Sequence, residues 1–239
     1  IRALRDGKTV QVTAQAVKCS TDGTYKLGAW LRDSMAGIGT VTYYDPSTGA
    51  FGALGHGVND VDTAQLMPLE SGGLLPATVA DVKKGKRGEP GELHGAFDAD
   101  KDMGTLIANT TSGIFGFASG EELALREPVE VASKDQVKEG PAVIYSNVSG
   151  DQVREYQVEI TKLYPAAQDG RDMMIKVTDP ALLEATGGIV QGMSGSPILQ
   201  DGRLIGAVTH VLVSDPTQGY AILAERMLET AEESGKTGE

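Results

Sequence analysis

The chain has 239 residues, 40% hydrophobic and 23% charged, which suffices for one large or two small domains with a real core and excludes disorder as the main state. Its 33 Asp and Glu against 21 Lys and Arg give a net charge of −12, and the basic residues are scattered apart from Lys83-Lys84-Gly85-Lys86-Arg87. This argues against a nucleic-acid partner, because affinity for a phosphate backbone comes from clustered cations.

Cys19 is the single cysteine, so neither a disulfide framework nor a cysteine-rich metal site is available. No apolar run approaches the ~18–20 residues of a spanning helix, and no basic-then-apolar leader is visible. Because the chain starts at Ile1, it is expected to be a fragment or processed form, with any targeting segment outside it.

In chain order, short stretches rich in Val, Ile and Thr, punctuated by 31 glycines, predict strands at Val10–Ala14, Gly39–Tyr44, Pro141–Tyr145, Tyr156–Ile160 and Met173–Val177. Asp45-Pro46-Ser47-Thr48-Gly49 marks a hairpin between Val41–Tyr44 and Ala50–Leu54, since Pro fixes φ and Gly accepts a positive one. Asp201-Gly202 is a two-residue turn between Pro197–Leu199 and Arg203–Val208. Residues 82–92 and 133–140 read as surface loops, the second at the seam between two halves. Helical spacing of Ile222, Leu223, Met227, Leu228 and Ala231 predicts one C-terminal helix over 221–234. Many strands and one late helix point to an all-β sandwich or barrel.

Chemistry concentrates in Gly187-Gly188-Ile189-Val190-Gln191-Gly192-Met193-Ser194-Gly195-Ser196-Pro197. A catalytic serine needs an exposed hydroxyl on a tight turn with backbone N–H groups converging where a carbonyl oxygen becomes negative. Glycine at 192 permits the unusual dihedrals this requires, so the N–H groups of Gly192 and Ser194 form a candidate oxyanion hole. Ser196 is pinned by Pro197 at a strand start. Against this stands a plain Gly-Ser turn, and an α/β-hydrolase elbow is disfavoured because Ser196 occupies its last glycine position.

A serine nucleophile needs a base, and His56, His94 and His210 are the three candidates. His56 ends a strand in Gly52-Ala53-Leu54-Gly55-His56-Gly57, where small neighbours leave room for a substrate. His94 reads as an ordinary strand residue. His210 lies with Thr209 on the strand after the Asp201-Gly202 hairpin, where the two are placed to wall a substrate pocket. The orienting carboxylate is left open among Asp179, which ends a strand, and Asp98, Asp100 and Asp102. The latter three resemble a calcium loop, but the glycine is displaced and Asn109 stands at the twelfth position; a solvated acidic turn fits better. No metal or cofactor is expected.

With His56, Asp179 and Ser194 in view, the chain closely resembles the sporulation stage IV B serine peptidases of endospore-forming bacteria. The segments that carry the likeness are Leu27–Thr40, Gly52–Asp60 and Gly187–His210 with Gly-Met-Ser-Gly-Ser-Pro. The resemblance implies a chymotrypsin-like double β-barrel, with halves near 1–125 and 126–220, and a serine endopeptidase with His56 as base, Asp179 as orienting acid and Ser194 as nucleophile. It further implies autoproteolysis and cleavage of a regulatory protein that restrains an intramembrane protease, releasing a mother-cell sigma factor. Such proteins are anchored in or secreted across the forespore membrane and carry a PDZ domain, so this chain is expected to be the peptidase domain alone, with membrane association only through an absent segment. The alternative is a catalytically silent β-barrel binding module.

Overall fold

A computed structural model describes residues 1–5, 7–29, 34–118, 123 and 127–236. Ile1–Gly37 and Ile38–Glu239 form separate compact units. The first holds two small antiparallel hairpins, β1 (Arg2–Arg5) with β2 (Lys8–Gln11) and β3 (Val17–Lys18) with β4 (Tyr25–Lys26). Of the strand expected at Val10–Ala14, Val10 and Gln11 lie in β2 and Val12 exchanges two hydrogen bonds with Ile1 just beyond it. Trp30–Asp33, within the first segment of family likeness, lie outside the described residues.

The second unit begins with β5 (Val41–Tyr44), β6 (Ala50–Ala53), β7 (Gly73–Leu74), β8 (Ala77–Lys83), β9 (Glu92–Phe97), β10 (Gly104–Thr110) and β11 (Gly113–Ala118). The expected turn joins β5 to β6: the Asp45 carboxylate accepts from the Ser47 N–H (2.9 Å), and Gly49 takes φ +74°. Five of these strands form an open antiparallel sheet in the order β5-β6-β11-β10-β7, while β8 and β9 make a hairpin of their own.

There follow β12 (Gly140–Asn147), β13 (Val153–Leu163), β14 (Met173–Val177), α1 (Pro180–Thr186), β15 (Pro197–Gln200), β16 (Arg203–Val211), β17 (Gln218–Leu223) and α2 (Ala224–Lys236). The six strands close a barrel in the order β12-β13-β14-β17-β16-β15, with Ile144 opposite Ile198 at the closing seam. Strand β13 shows the half-buried alternation directly: Tyr156, Val158 and Ile160 are buried while Gln157 and Glu159 are exposed. Strand β16 is buried at every position from Leu204 to Thr209, because it is covered on both faces, and its sequence is accordingly a near-continuous apolar run. Asp201 and Gly202 both adopt positive φ, 51° and 77°, the geometry of the favoured two-residue hairpin.

The expected all-β architecture with a C-terminal helix is present, but the first of the two β parts is an open sheet, not a closed barrel. The helix starts at Ala224, three residues later than its periodicity suggests, because Ala221, Ile222 and Leu223 complete β17 by pairing with Val208, Ala207 and Gly206. The helix α1 was not expected, and the boundary near 125 falls outside the described residues.

One apolar core fills the barrel, with Ile144, Ile160, Met173, Ile175 and Ile198 fully enclosed. A smaller cluster of Phe115, Ala207, Ile222 and Met227 lies where the open sheet, the barrel and α2 meet. Helix α2 is held there by Asp172, whose buried carboxylate accepts from the Leu223 N–H (2.9 Å) and from Arg226 Nε (3.0 Å) and Nη2 (2.7 Å). Removing one member of such a pair strands the other charge. Asp172→Ala is therefore expected to cost on the order of 3–5 kcal/mol, read as a lower urea midpoint; an unchanged midpoint contradicts this role.

Candidate active site

Ser194 lies on the loop between α1 and β15, and the loop is fixed from both sides. Its neighbour Met193 is fully buried in the barrel core with Ile189 and Val190. Hairpin β8–β9 braces the loop from outside: the Gln191 N–H donates to the Gly91 carbonyl (2.9 Å) and the Leu93 N–H to the Gln191 carbonyl (2.8 Å). The run expected to be a plain surface loop thus ends against the loop that carries Ser194.

Gly192 has φ +98° and packs against the Leu93 side chain, and Gly195 has φ +91°. The N–H groups of Met193, Gly195 and Ser196 donate to the carbonyls of Val190, Val208 and Met193. Those of Gly192 and Ser194 donate to nothing among the described residues. Two uncommitted amides flanking Met193 are the donor set an oxyanion requires. The two serines separate clearly: Ser196 is fully buried and its hydroxyl meets that of Ser146 at 3.2 Å, whereas Ser194 is half-buried.

The open sheet grips the same loop. The Thr40 N–H donates to the Ser194 carbonyl (2.9 Å), Thr42 Oγ1 to the Gly195 carbonyl (2.8 Å), and the Leu54 N–H to the Thr40 carbonyl (3.2 Å). A methyl group at Gly195 would overlap the Thr40 carbonyl oxygen and the Leu54 backbone. Beyond β6 the chain turns through two left-handed residues, Leu54 (φ 68°) and Gly55 (φ 69°). For leucine this conformation costs on the order of 1 kcal/mol. A Cβ at Gly55 would sit 2.8 Å from Ile222 and 2.9 Å from Thr209, so the bare backbone lies on β16 and β17, and the next residue is His56.

His56 Nδ1 is 2.9 Å from the Gly57 carbonyl oxygen. With the proton on Nδ1 donating to that oxygen, Nε2 is left as a lone pair. The His56 ring lies 5.2 Å from that of His210, tilted by 41°. Ser194 Oγ donates to the carbonyl of Thr209, the residue before His210, at 2.9 Å. The structure therefore gathers Ser194, His56 and His210 at one place, with no hydrogen bond between Ser194 and His56.

The remaining predicted residues are elsewhere or differently used. Thr209 is buried and its hydroxyl donates to the Tyr220 carbonyl (3.1 Å), so it offers the site its carbonyl and not the expected pocket wall. His210 is half-buried, with Nδ1 enclosed and unpartnered. Burial chiefly, aided by the nearby His56 and Arg171 and opposed by Asp169, pushes its pKa down to about 4.

Asp179, expected as the orienting acid, caps α1. One carboxylate oxygen accepts from the N–H groups of Ala181 (2.9 Å) and Leu182 (3.2 Å), the other from that of Gln157 (3.2 Å). No hydrogen bond joins it to His56 among the described residues. The sequence signal for this was Asp-Pro, a helix cap followed by proline at the first helical position. Asp98 and Asp102 accept from Asp100 and Gly104 in an exposed turn, and His94 is exposed beside Glu92 at 3.9 Å.

The family model for the SpoIVB peptidase S55 matches residues 23–228. This chain belongs to the SpoIVB peptidase family. It is a serine peptidase, and the family is a sporulation one. No curated protein matches the sequence. Among solved structures this SpoIVB-family chain is similar to the Rv3671c protease of M. tuberculosis in its active form, at 15% identity over 87% of this chain and 95% of that one, with a TM-score of 0.43. An inactive form of Rv3671c gives 17% identity over 61% and 73%, with a TM-score of 0.41. The HtrA-type protease AlgW with a decapeptide gives 14% over 69% and 52%, with a TM-score of 0.44.

Two outcomes follow from this geometry. Asp179→Ala is expected to lower stability by about 1 kcal/mol, as loss of a helix cap does, read as a lower urea midpoint; an unchanged midpoint would contradict the capping role. His210, neutral when folded but ordinary when unfolded at about 6.5, makes a stability contribution that is whole above pH 6.5 and lost as pH falls towards 4. Urea midpoints should drop over that window in the wild type and less so in His210→Gln; parallel pH curves would contradict the assignment.

Proposed function

We propose that this peptidase is an endopeptidase working by acyl transfer, with Ser194 as nucleophile and His56 as base. In acylation Ser194 Oγ bonds to the scissile carbonyl carbon while its proton passes to His56 Nε2. The same proton then goes to the amine as the C–N bond breaks. Water reverses the sequence in deacylation, and the Gly192 and Ser194 amides hold the oxyanion in both steps.

The observation that carries this reading is the pair of uncommitted amides around a serine that is the only half-exposed hydroxyl on that glycine turn. The Thr209 carbonyl holds that hydroxyl in the absence of substrate, and the reading has it leave for His56 when a peptide occupies the site. Family membership supports the finer biology: cleavage of itself and of a regulator of an intramembrane protease, in the space between forespore and mother-cell membranes.

The Ser194–Thr209 hydrogen bond also favours a second reading, a silent module that binds a partner and does not cut it. Labelling separates the two. A fluorophosphonate is expected to add one phosphonyl group at Ser194 by intact-mass and peptide mapping, with loss in Ser194→Ala and a rate at least ~100-fold lower in His56→Ala. Labelling that persists in Ser194→Ala, or none in the wild type, contradicts the endopeptidase.

A further inference from the structure

We propose that β9 aims the Gly192 N–H into the oxyanion hole, with Leu93 as the positioning residue. The inference rests on the Ser194–His56 reading and deepens it. An oxyanion hole acts through donors that are fixed before the reaction begins, so each of its two amides needs a constraint. A trans peptide is planar, with its C=O and N–H pointing in opposite directions. Whatever grips the carbonyl therefore aims the amide behind it.

The Ser194 N–H shares a peptide with the Met193 carbonyl, which accepts from the Ser196 N–H at 3.0 Å. That constraint is local, supplied by the same turn. The Gly192 N–H shares a peptide with the Gln191 carbonyl, which accepts from the Leu93 N–H at 2.8 Å. This constraint comes from another element, β9. Glycine at 192 does not supply it, because a residue without Cβ enters positive and negative φ about equally well, and the observed φ of +98° has to be selected from outside.

The hairpin β8–β9 has the construction this role needs. Leu93 is buried in the same core cluster as Val190 and Met193, and its side chain lies 3.0–3.1 Å from where a Cβ on Gly192 would stand. One residue thus grips the Gln191–Gly192 peptide with its N–H and covers it with its side chain. The Gln191 N–H donates to the Gly91 carbonyl at 2.9 Å, so both backbone groups of Gln191 are held by the hairpin. A Cβ on Gly91 would overlap the Lys83 carbonyl and the Val190 side chain, which requires glycine there. The turn of the hairpin is tied down in turn: the Gly85 N–H donates to the Thr186 carbonyl (2.8 Å), the Gly88 N–H to the Val213 carbonyl (2.8 Å) and Arg87 Nε to the Ser214 carbonyl (2.9 Å). Further along, Val79 and Gly150 exchange two hydrogen bonds of 2.9 Å. The hairpin belongs to neither the open sheet nor the barrel, and these ties seat it against the serine loop.

The test uses the intact chain and compares wild type, Leu93→Pro, Leu93→Ala and Leu93→Met for fluorophosphonate labelling rate at Ser194, for kcat and KM on a cleavable peptide or ester, and for the Gly192 amide signal by NMR before and after phosphonylation. Proline removes the N–H, alanine keeps it but uncovers Gly192, and methionine keeps both at similar volume. Leu93→Pro is expected to lower kcat and the labelling rate together by roughly 100-fold or more, as loss of one oxyanion donor does, and to leave KM within about threefold. Leu93→Ala is expected to lose roughly 10-fold in kcat, and Leu93→Met to stay within about threefold of wild type. Phosphonylation should move the Gly192 amide downfield in wild type and not in Leu93→Pro, a change confined to one donor that a generally loosened fold does not produce. A folded Leu93→Pro with wild-type kcat and a wild-type Gly192 shift overturns the proposal, as does an effect confined to KM. If Leu93→Pro fails to fold, Leu93→Ala decides: unchanged kcat and an unchanged Gly192 shift there overturn it. Wild type that labels in a His56-dependent way while the Leu93 variants keep pace removes this inference alone; wild type that does not label removes the endopeptidase reading, and this inference with it.

Discussion

Everything at this site depends on two points where the backbone is packed too closely to carry a side chain of its own. At Gly195 the serine loop lies against the Thr40 carbonyl and the Leu54 backbone, and at Gly55 the end of β6 lies against β16 and β17. Both contacts require glycine, and both glycines hold positive φ. The hydrogen bonds from Thr40, Thr42 and Leu54 then fix the register of the approach. With the loop anchored inward by Met193 and outward by the Gly91–Leu93 rung, Ser194 is left as the residue that turns away from the core.

The electrostatics are shaped by burial more than by ion pairing. Carboxylates outnumber cations in the chain, yet none of the described ones hydrogen-bonds His56. Asp172 is committed to Arg226 and the start of α2, and Asp179 to the start of α1. The charged groups strengthen the elements around the site, while the site itself holds a backbone carbonyl, two free amides and two imidazoles. Such an arrangement favours neutral ground-state groups and reserves its dipoles for charge that develops during reaction.

Much of this was legible in the sequence, for identifiable reasons. Turn chemistry is local, so Asp45–Gly49 and Asp201-Gly202 fell where the glycine and proline preferences put them. The candidate serine, the glycine before it and His56 could be singled out because exposure on a glycine turn leaves a compositional trace. What stayed hidden depends on remote partners. The seven-residue α1 is too short to show periodicity, so its Asp-Pro start reads as a strand end, while the role of Asp179 as an acid for His56 comes from the family resemblance alone. The bracing of Gln191 by β9 joins residues about a hundred positions apart, and the contact between His56 and His210 exists only because the turn after β6 packs at Gly55 against Thr209 of β16. Pairing with β16 likewise took Ala221–Leu223 from the helix that their spacing suggested.

The most direct test of the central claim is a crystal structure of the chain after reaction with a phosphonate. The account predicts an adduct on Ser194 Oγ that has left the Thr209 carbonyl, His56 Nε2 about 2.6–3.2 Å from that oxygen, and a phosphoryl oxygen on the N–H groups of Gly192 and Ser194. An adduct at any other residue, or His56 still out of reach of the modified serine, would contradict it.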